Sequence, residues 1–229
     1  MENSALNSKL ESLRQRGGLP RFIAVEGAIG VGKTTLARRL ADTFNYQTLL
    51  EQAEENPFLA RFYQEPKRYA LQTQLFFLFQ RAQQLRDLKQ ENLFEAVRVS
   101  DFLIDKDKLF AEVTLDEDEY RLYSNVYEHM TFDAPRPDLV IYLQAPSSVL
   151  MQRIQRRGIA VEQGIDGDYL DRLNDAYARF FHFYDEAPLL IVNASDIDLA
   201  NRDEDYQQLV NYALDIRSGR HYFNPRPLA

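Results

Sequence analysis

Residues 21 to 35 place a short apolar run, Phe22-Ile23-Ala24-Val25, directly ahead of Gly27-x4-Gly32-Lys33-Thr34. Gly-x4-Gly-Lys-Ser/Thr is the spacing of a phosphate-binding loop. Glycines let the backbone curl until successive N–H groups point at a phosphate chain. A helix that follows adds the positive end of its dipole, and Thr35-Leu36-Ala37-Arg38-Arg39-Leu40 reads as the start of one. Lys33 has the reach for the β- and γ-phosphates, and the Thr34 hydroxyl suits Mg2+. The segment Gly27, Ala28, Ile29, Gly30, Val31, Gly32, Lys33, Thr34 and Thr35 is therefore expected to bind ATP, or another nucleoside triphosphate, with Mg2+. A glycine-rich turn without a ligand is the competing reading, but four fixed positions match by chance in only about one percent of chains this long.

Size and composition narrow the setting. At 229 residues with 45% hydrophobic positions, one α/β domain with a substantial core is expected. A net charge of −8 argues against coating nucleic acid or an anionic membrane. Cysteine is absent, which excludes a disulfide frame, a thiolate zinc site and a cysteine nucleophile. His129, His182 and His221 show no metal-ligand spacing. The polar N-terminus lacks a secretory core and no apolar stretch approaches 18 residues, so a cytoplasmic protein is expected.

Along the chain, residues 1–20 read as a polar leader, helical over Leu6–Leu13 and ending at Gly17-Gly18. Five apolar runs read as strands of a parallel sheet: Phe22–Val25, Gln47–Leu50, Val97–Ser100, Leu139–Leu143 and Leu189–Val192. Helical patterns between them predict a three-layer α/β/α domain over residues 21–218. Thr114-x-x-Glu117 resembles a capping box, and Ser147 or Ser148 is placed to cap a helix running to Arg157. Further helices are expected over Gly167–Tyr184 and about Asp205–Ile216. Residues 219–229, including Pro225-Arg226-Pro227, read as a tail draped on the surface.

Ligands of open parallel sheets sit beyond the carboxyl ends of the strands. Glu51 follows the second strand and Asp101 the third, so both should face the phosphate loop. Asp101 is suited to accept a proton from an attacking hydroxyl or to help organise Mg2+; a solvated or capping carboxylate is the alternative. On a helix over Tyr69–Leu88, Gln74, Leu78, Arg81 and Leu85 share one face at 4-3-4 spacing. An amide and a guanidinium among leucines suit a planar polar ligand such as a base edge, against the plainer reading of a core boundary. Phe76, Phe77 and Phe79 are read as core. Arg153, Arg156 and Arg157 end a helix before Gly158, where they favour the helix dipole or serve as lid arginines over about 153–165.

With these residues assembled, the chain resembles the deoxynucleoside kinase family, especially its bacterial deoxyadenosine and deoxyguanosine kinases. The likeness spans roughly residues 20–195. It rests on Glu26-Gly27-x-Ile29-Gly30-x-Gly32-Lys33-Thr34, Glu51, Glu55-Asn56-Pro57-Phe58-Leu59-x-x-Phe62-Tyr63 and Gln74-x-x-Phe77-Leu78-x-x-Arg81. It continues in Asp107-x-x-Phe110-Ala111, Tyr142-Leu143-Gln144-Ala145, Arg153-x-x-x-Arg157-Gly158 and Glu162-Gln163-Gly164-Ile165. The resemblance implies a five-stranded sheet wrapped by helices and a homodimer formed through a helical face. It implies Glu51 near the nucleoside 5′-hydroxyl, and Tyr63 and Glu162 on the 3′-hydroxyl. Gln74 would bond the base, with Arg81 and Asp107 setting base preference. Asp101 would be the general base, and Arg153 and Arg157 the lid arginines. The phosphate-loop reading adds Lys33 as a phosphoryl-stabilising cation and Thr34, with Asp101, as contacts to Mg2+.

One departure stands out. The family ordinarily carries Asp- or Glu-Arg-Ser after the third strand, whereas this chain reads Asp101-Phe102-Leu103. Loss of a charge-assisted contact in the transition state commonly costs several kcal/mol. Three explanations stay open at this level: a nearby arginine substitutes, the acceptor differs, or transfer is weak. A smaller change puts Ala28 where the family often has Asn. The reading is an ATP-dependent kinase of the 5′-hydroxyl of a deoxynucleoside, purine preferred, acting on a small molecule with no nucleic-acid or membrane partner. Its alternatives are a kinase of another hydroxylated metabolite and a nucleotide-binding regulator.

Overall fold

The computed structural model describes residues 2–90, 97–103, 105–130, 135–197, 199 and 202–224. Its strands are β1 (Phe22–Gly27), β2 (Gln47–Leu49), β3 (Arg98–Ser100), β4 (Leu139–Gln144), β5 (Leu189–Asn193) and β6 (Arg220–Phe223). They form one sheet in the order β2-β3-β1-β4-β5-β6, every pair parallel. Ile23–Val25, Val140–Leu143 and Leu189–Val192 are buried without alternation, as strands covered by helices on both faces must be. The helices are α1 (Glu2–Gln15), α2 (Lys33–Phe44), α3 (Leu59–Gln64), α4 (Pro66–Gln90) and α5 (Lys106–Thr114). They continue with α6 (Glu117–His129), α7 (Ser147–Arg157), α8 (Gly167–Phe183) and α9 (Asp203–Ala213). The expected three-layer architecture is present, with six strands rather than five.

The sixth strand corrects the expected surface tail: Arg220–Phe223 pairs with Leu189–Val192 at the sheet edge. Arg220 also donates to the carbonyls of Phe181 and His182 at 2.8 Å, fastening the strand to the end of α8. Pro225, Arg226 and Pro227 lie outside the described residues. The leader is likewise built in: α1 buries Leu6 and Leu10 in the main core, and Lys9 pairs with Asp215 at 2.8 Å just beyond α9. Two caps differ from expectation. The capping box of α6 is Asp116 with Glu119, while the Thr114 hydroxyl donates back to the Phe110 carbonyl. Neither Ser147 nor Ser148 caps α7; the chain enters it through Pro146, without a side-chain cap. A second small core joins α4, α5 and α6 through Leu78, Ala111 and Tyr123.

Candidate active site

The carboxyl ends of β1, β3 and β4 converge where strand order reverses, the position at which such sheets open a crevice. The phosphate loop leaves β1 there. Gly27 passes so near β4 that a Cβ would sit 2.4 Å from the Leu143 carbonyl oxygen, so only glycine fits. Gly32 precedes α2 with φ of 107°, a left-handed conformation that frees the first N–H groups of α2 to face the crevice. Lys33 folds its ammonium onto the Ala28 carbonyl at 3.2 Å.

A cavity of about 610 Å3 lies under this loop. Ile29, Gly30, Lys33 and Thr34 form its phosphate-loop side; Gln74 and Arg81 project from α4, and Asp107 from α5. Glu51 and Asp101 stand at the strand ends, and Tyr63, Arg157 and Glu162 close the opposite side. Every acceptor-side residue expected from the sequence is thus brought together. Asp101, 3% exposed, is the joint between the two sides: one oxygen accepts the Thr34 hydroxyl at 2.5 Å, and the other accepts the Glu51 N–H at 2.8 Å.

The deep end is an ionic network. Arg81 binds both Asp107 and Glu51, and Lys106 reaches Glu51 at 3.2 Å. Burial alone would raise the Glu51 carboxyl, but Lys106, Arg81 and Lys33 outweigh it and hold it at about 2. Lys33 is lowered, first by burial and then by the charge of Lys106, while Glu26, Glu51 and Asp101 oppose the shift. Arg81 Nε and Asp107 Oδ2 are buried and have no partner among the described residues. A donor and an acceptor left in this way beside Gln74 suit the edge of a base. Tyr63 is pushed well above its usual value, chiefly by burial, so its hydroxyl stays protonated and able to bond a sugar oxygen.

The lid residues divide. Arg157 clasps Glu162 in a bidentate pair, Nε to Oε2 at 3.0 Å and Nη2 to Oε1 at 2.5 Å, under the short 3₁₀ turn Ala160–Gly164. Arg153, half-buried, instead donates to the carbonyls of Val31 at 3.2 Å and Ala194 at 2.6 Å. It lines a second depression of about 660 Å3 on the far side of the phosphate loop, with Gly30, Val31, Gly32 and Thr35. That placement suits the donor nucleotide, not the acceptor cavity. The phenylalanines also divide: Phe77 lines the acceptor cavity, with Arg81 Cζ 5.3 Å from its ring centroid. Phe79 is 51% exposed rather than core.

Sequence reasoning missed two polar residues here. Glu26, wholly buried, accepts the N–H groups of Gly27 at 3.0 Å and Leu103 at 2.6 Å and the Tyr177 hydroxyl at 2.9 Å. A lone carboxylate inside an apolar strand was the available signal. Lys106 stands in the first turn of α5, where its positive charge opposes the helix dipole, a local misfit that the sequence already displayed.

Comparison with known proteins identifies the family. A sequence profile of the deoxynucleoside kinase family matches residues 23–216. A deoxyguanosine kinase of Bacillus subtilis (strain 168) is 34% identical over 200 residues, covering 85% of this chain and 97% of the relative. A deoxyadenosine/deoxycytidine kinase of the same organism is 30% identical over 200 residues, covering 83% and 90%. A deoxyadenosine kinase from M. mycoides, solved with products dCMP and a flexible dCDP bound, superposes with a TM-score of 0.72 at 27% identity, covering 83% of this chain and 97% of that one. Another structure of deoxyadenosine kinase from M. mycoides, with bound dATP, gives 0.71 at 27% identity, covering 83% and 98%. This chain belongs to the deoxynucleoside kinase family, phosphotransferases that act on a hydroxyl acceptor.

Proposed function

We propose that this kinase transfers the γ-phosphoryl of ATP to the 5′-hydroxyl of a purine deoxynucleoside, with Asp101 as the general base. The observation that carries the reading is the double bond-making of Asp101, to Thr34 on the donor side and to the Glu51 backbone on the acceptor side. The 5′-oxygen forms a bond to the γ-phosphorus as the bond to the β,γ-bridging oxygen breaks. The hydroxyl proton passes to Asp101, and ADP departs. Lys33 and Arg157 neutralise the phosphoryl oxygens, and Arg153 steadies the donor from its own side of the loop. Tyr63 and Glu162 hold the 3′-hydroxyl, while Gln74, Arg81 and Asp107 read the base. A purine preference fits the names of the relatives, deoxyguanosine and deoxyadenosine kinases among them.

The Thr34 hydroxyl and the Asp101 carboxylate are hard oxygen donors side by side, which fits Mg2+ directly or through water. No cluster of three or more His, Cys, Asp or Glu side chains suited to a metal occurs among the described residues; Mg2+ commonly needs only one or two protein oxygens besides phosphate and water. When bound, the ion neutralises charge on the polyphosphate. We further infer a cytoplasmic homodimer. No described helix is long and apolar enough to cross a membrane, and Phe79 on α4 and Leu122 on α6 are each half-exposed, apolar surface that a second copy would cover. Steady-state turnover across deoxynucleosides, their monophosphates and unrelated alcohols tests the activity. Phosphorylation of purine deoxynucleosides at the 5′-oxygen is expected; preferred turnover of another class would displace the assignment.

A further inference from the structure

The loss of the family arginine at position 102 has a structural answer. Phe102 is 3% exposed and lies beneath two cations, with Arg81 Cζ 5.5 Å and Lys106 Nζ 5.7 Å from its ring centroid. It fills space and offers no donor. Lys106 belongs to the next helix, with a side chain only 2% exposed, and it lines the acceptor cavity. A buried ammonium at a helix N-terminus is unfavourable twice over, by desolvation and by the dipole. Pairing offsets part of this, at 3.2 Å to Glu51 and 3.9 Å to Glu26. Arg81 divides its charge between Glu51 and Asp107, so at rest Lys106 balances Glu51 and Glu26, and it does so from the wall of the acceptor cavity. Lys33, from the phosphate loop, shares the same carboxylate neighbours and senses the charge of Lys106. Two ammonium groups from opposite walls thus face one space beside Asp101.

We propose that Lys106 is a catalytic residue of this kinase, its ammonium bonding an oxygen of the phosphoryl group in transit and replacing the arginine that Phe102 displaces. The proposal rests on the kinase reading above. In the step, the 5′-oxygen bonds to phosphorus, the bond to the β,γ-bridging oxygen breaks, and the proton moves to Asp101. Lys106 gives up and takes no atom in the step; it stabilises charge between the reactants. An ammonium of this kind bonds strongly only when donor and acceptor are both in place, so its loss should weaken turnover more than either substrate's binding.

The test is Lys106→Met and Lys106→Arg beside the wild type. Three measurements apply: turnover, calorimetric affinity for ATP and for deoxynucleoside separately, and affinity for a bisubstrate compound joining adenosine to deoxyadenosine through an oligophosphate. Lys106→Met should lower kcat on the order of 10^2- to 10^3-fold, leave both single-substrate affinities within a few-fold, and weaken the bisubstrate compound on the order of 10^2-fold. Lys106→Arg should keep most of both. Should the methionine protein fail to fold, Lys106→Ala supplied with methylammonium gives the same decision: recovered turnover supports the role, and none opposes it. Turnover of Lys106→Met near that of the wild type would overturn the proposal while leaving the kinase reading intact. A fall matched by equal loss of deoxynucleoside affinity would overturn it too, reducing Lys106 to a support for Glu51. A wild type that phosphorylates no deoxynucleoside would sink the kinase reading, and this proposal with it.

Discussion

Asp101 meets two strict geometric demands at once, and Asn can satisfy only the neutral half of them. Asp101→Asn keeps an oxygen for the Glu51 N–H and leaves the core untouched. It removes the site for the departing proton. We expect turnover to fall on the order of 10^2-fold or more, with ATP affinity and melting temperature close to wild type. Near-normal turnover, measured by coupled ADP release, would remove Asp101 from the chemistry. The neighbouring Glu51 makes a pH prediction. A carboxyl held at about 2 in the fold, against a usual 4.5, adds stability that is fully present above 4.5 and disappears as pH falls through 2. With Glu51 mostly screened from solvent, at 21% side-chain exposure, the difference is worth on the order of 3 kcal/mol. Urea denaturation should show Glu51→Gln less stable than wild type at pH 7, with the gap shrinking toward pH 2.5. A gap independent of pH would mean that the three cations do not hold Glu51 ionised. Strand-end logic placed Asp101 and Glu51 at the crevice, where both line the cavity: Asp101 follows β3 directly, and Glu51 lies two residues past the end of β2. Lys106 escaped because a lysine between two aspartates reads as solvated; only the tertiary packing of Phe102 and Phe110 around it shows it buried.

Elements were legible where burial is two-sided. Leu139–Leu143 and Leu189–Val192 announce themselves as continuous apolar runs, and the structure places both in the sheet. Arg220-His221-Tyr222-Phe223 did not, since an edge strand alternates between half-buried and exposed positions and carries no such run. The N-terminal helix was legible as a helix but not as part of the core. Its two buried leucines, Leu6 and Leu10, sit in a segment otherwise polar enough to read as a free leader. Leu10 is 4% exposed within the main cluster, so Leu10→Ala should cost about 2–5 kcal/mol. No α1 residue lines the acceptor cavity or the depression beyond the phosphate loop, so kcat at temperatures below melting should be unaffected. Denaturation midpoints together with kinetics at 25 °C check both halves. A stability change below about 0.5 kcal/mol, the range of surface substitutions, would make α1 an appendage.

At the scale of the whole molecule, charge and surface pull in opposite directions. A net charge of −8 per chain opposes self-association, while Phe79 and Leu122 each leave 51% of their surface in solvent. The helices that bear them are held rigid from behind: Leu78 and Tyr123, their immediate neighbours in sequence, are wholly buried between α4 and α6. Apolar side chains carried on helices already held in place need little ordering to bind, which favours their burial against a second copy of the chain. Wild-type protein should therefore sediment as a dimer of the 26.7 kDa chain at micromolar concentration. Leu122→Asp should shift it to monomer, since two carboxylates would meet across a two-fold contact. Raising salt should tighten the wild-type dimer by screening like charges, opposite to what an interface built on ion pairs would do. A wild type that sediments at monomer mass at every concentration would exclude the pairing, leaving α4 as a wall of the acceptor cavity and α6 as its packing partner.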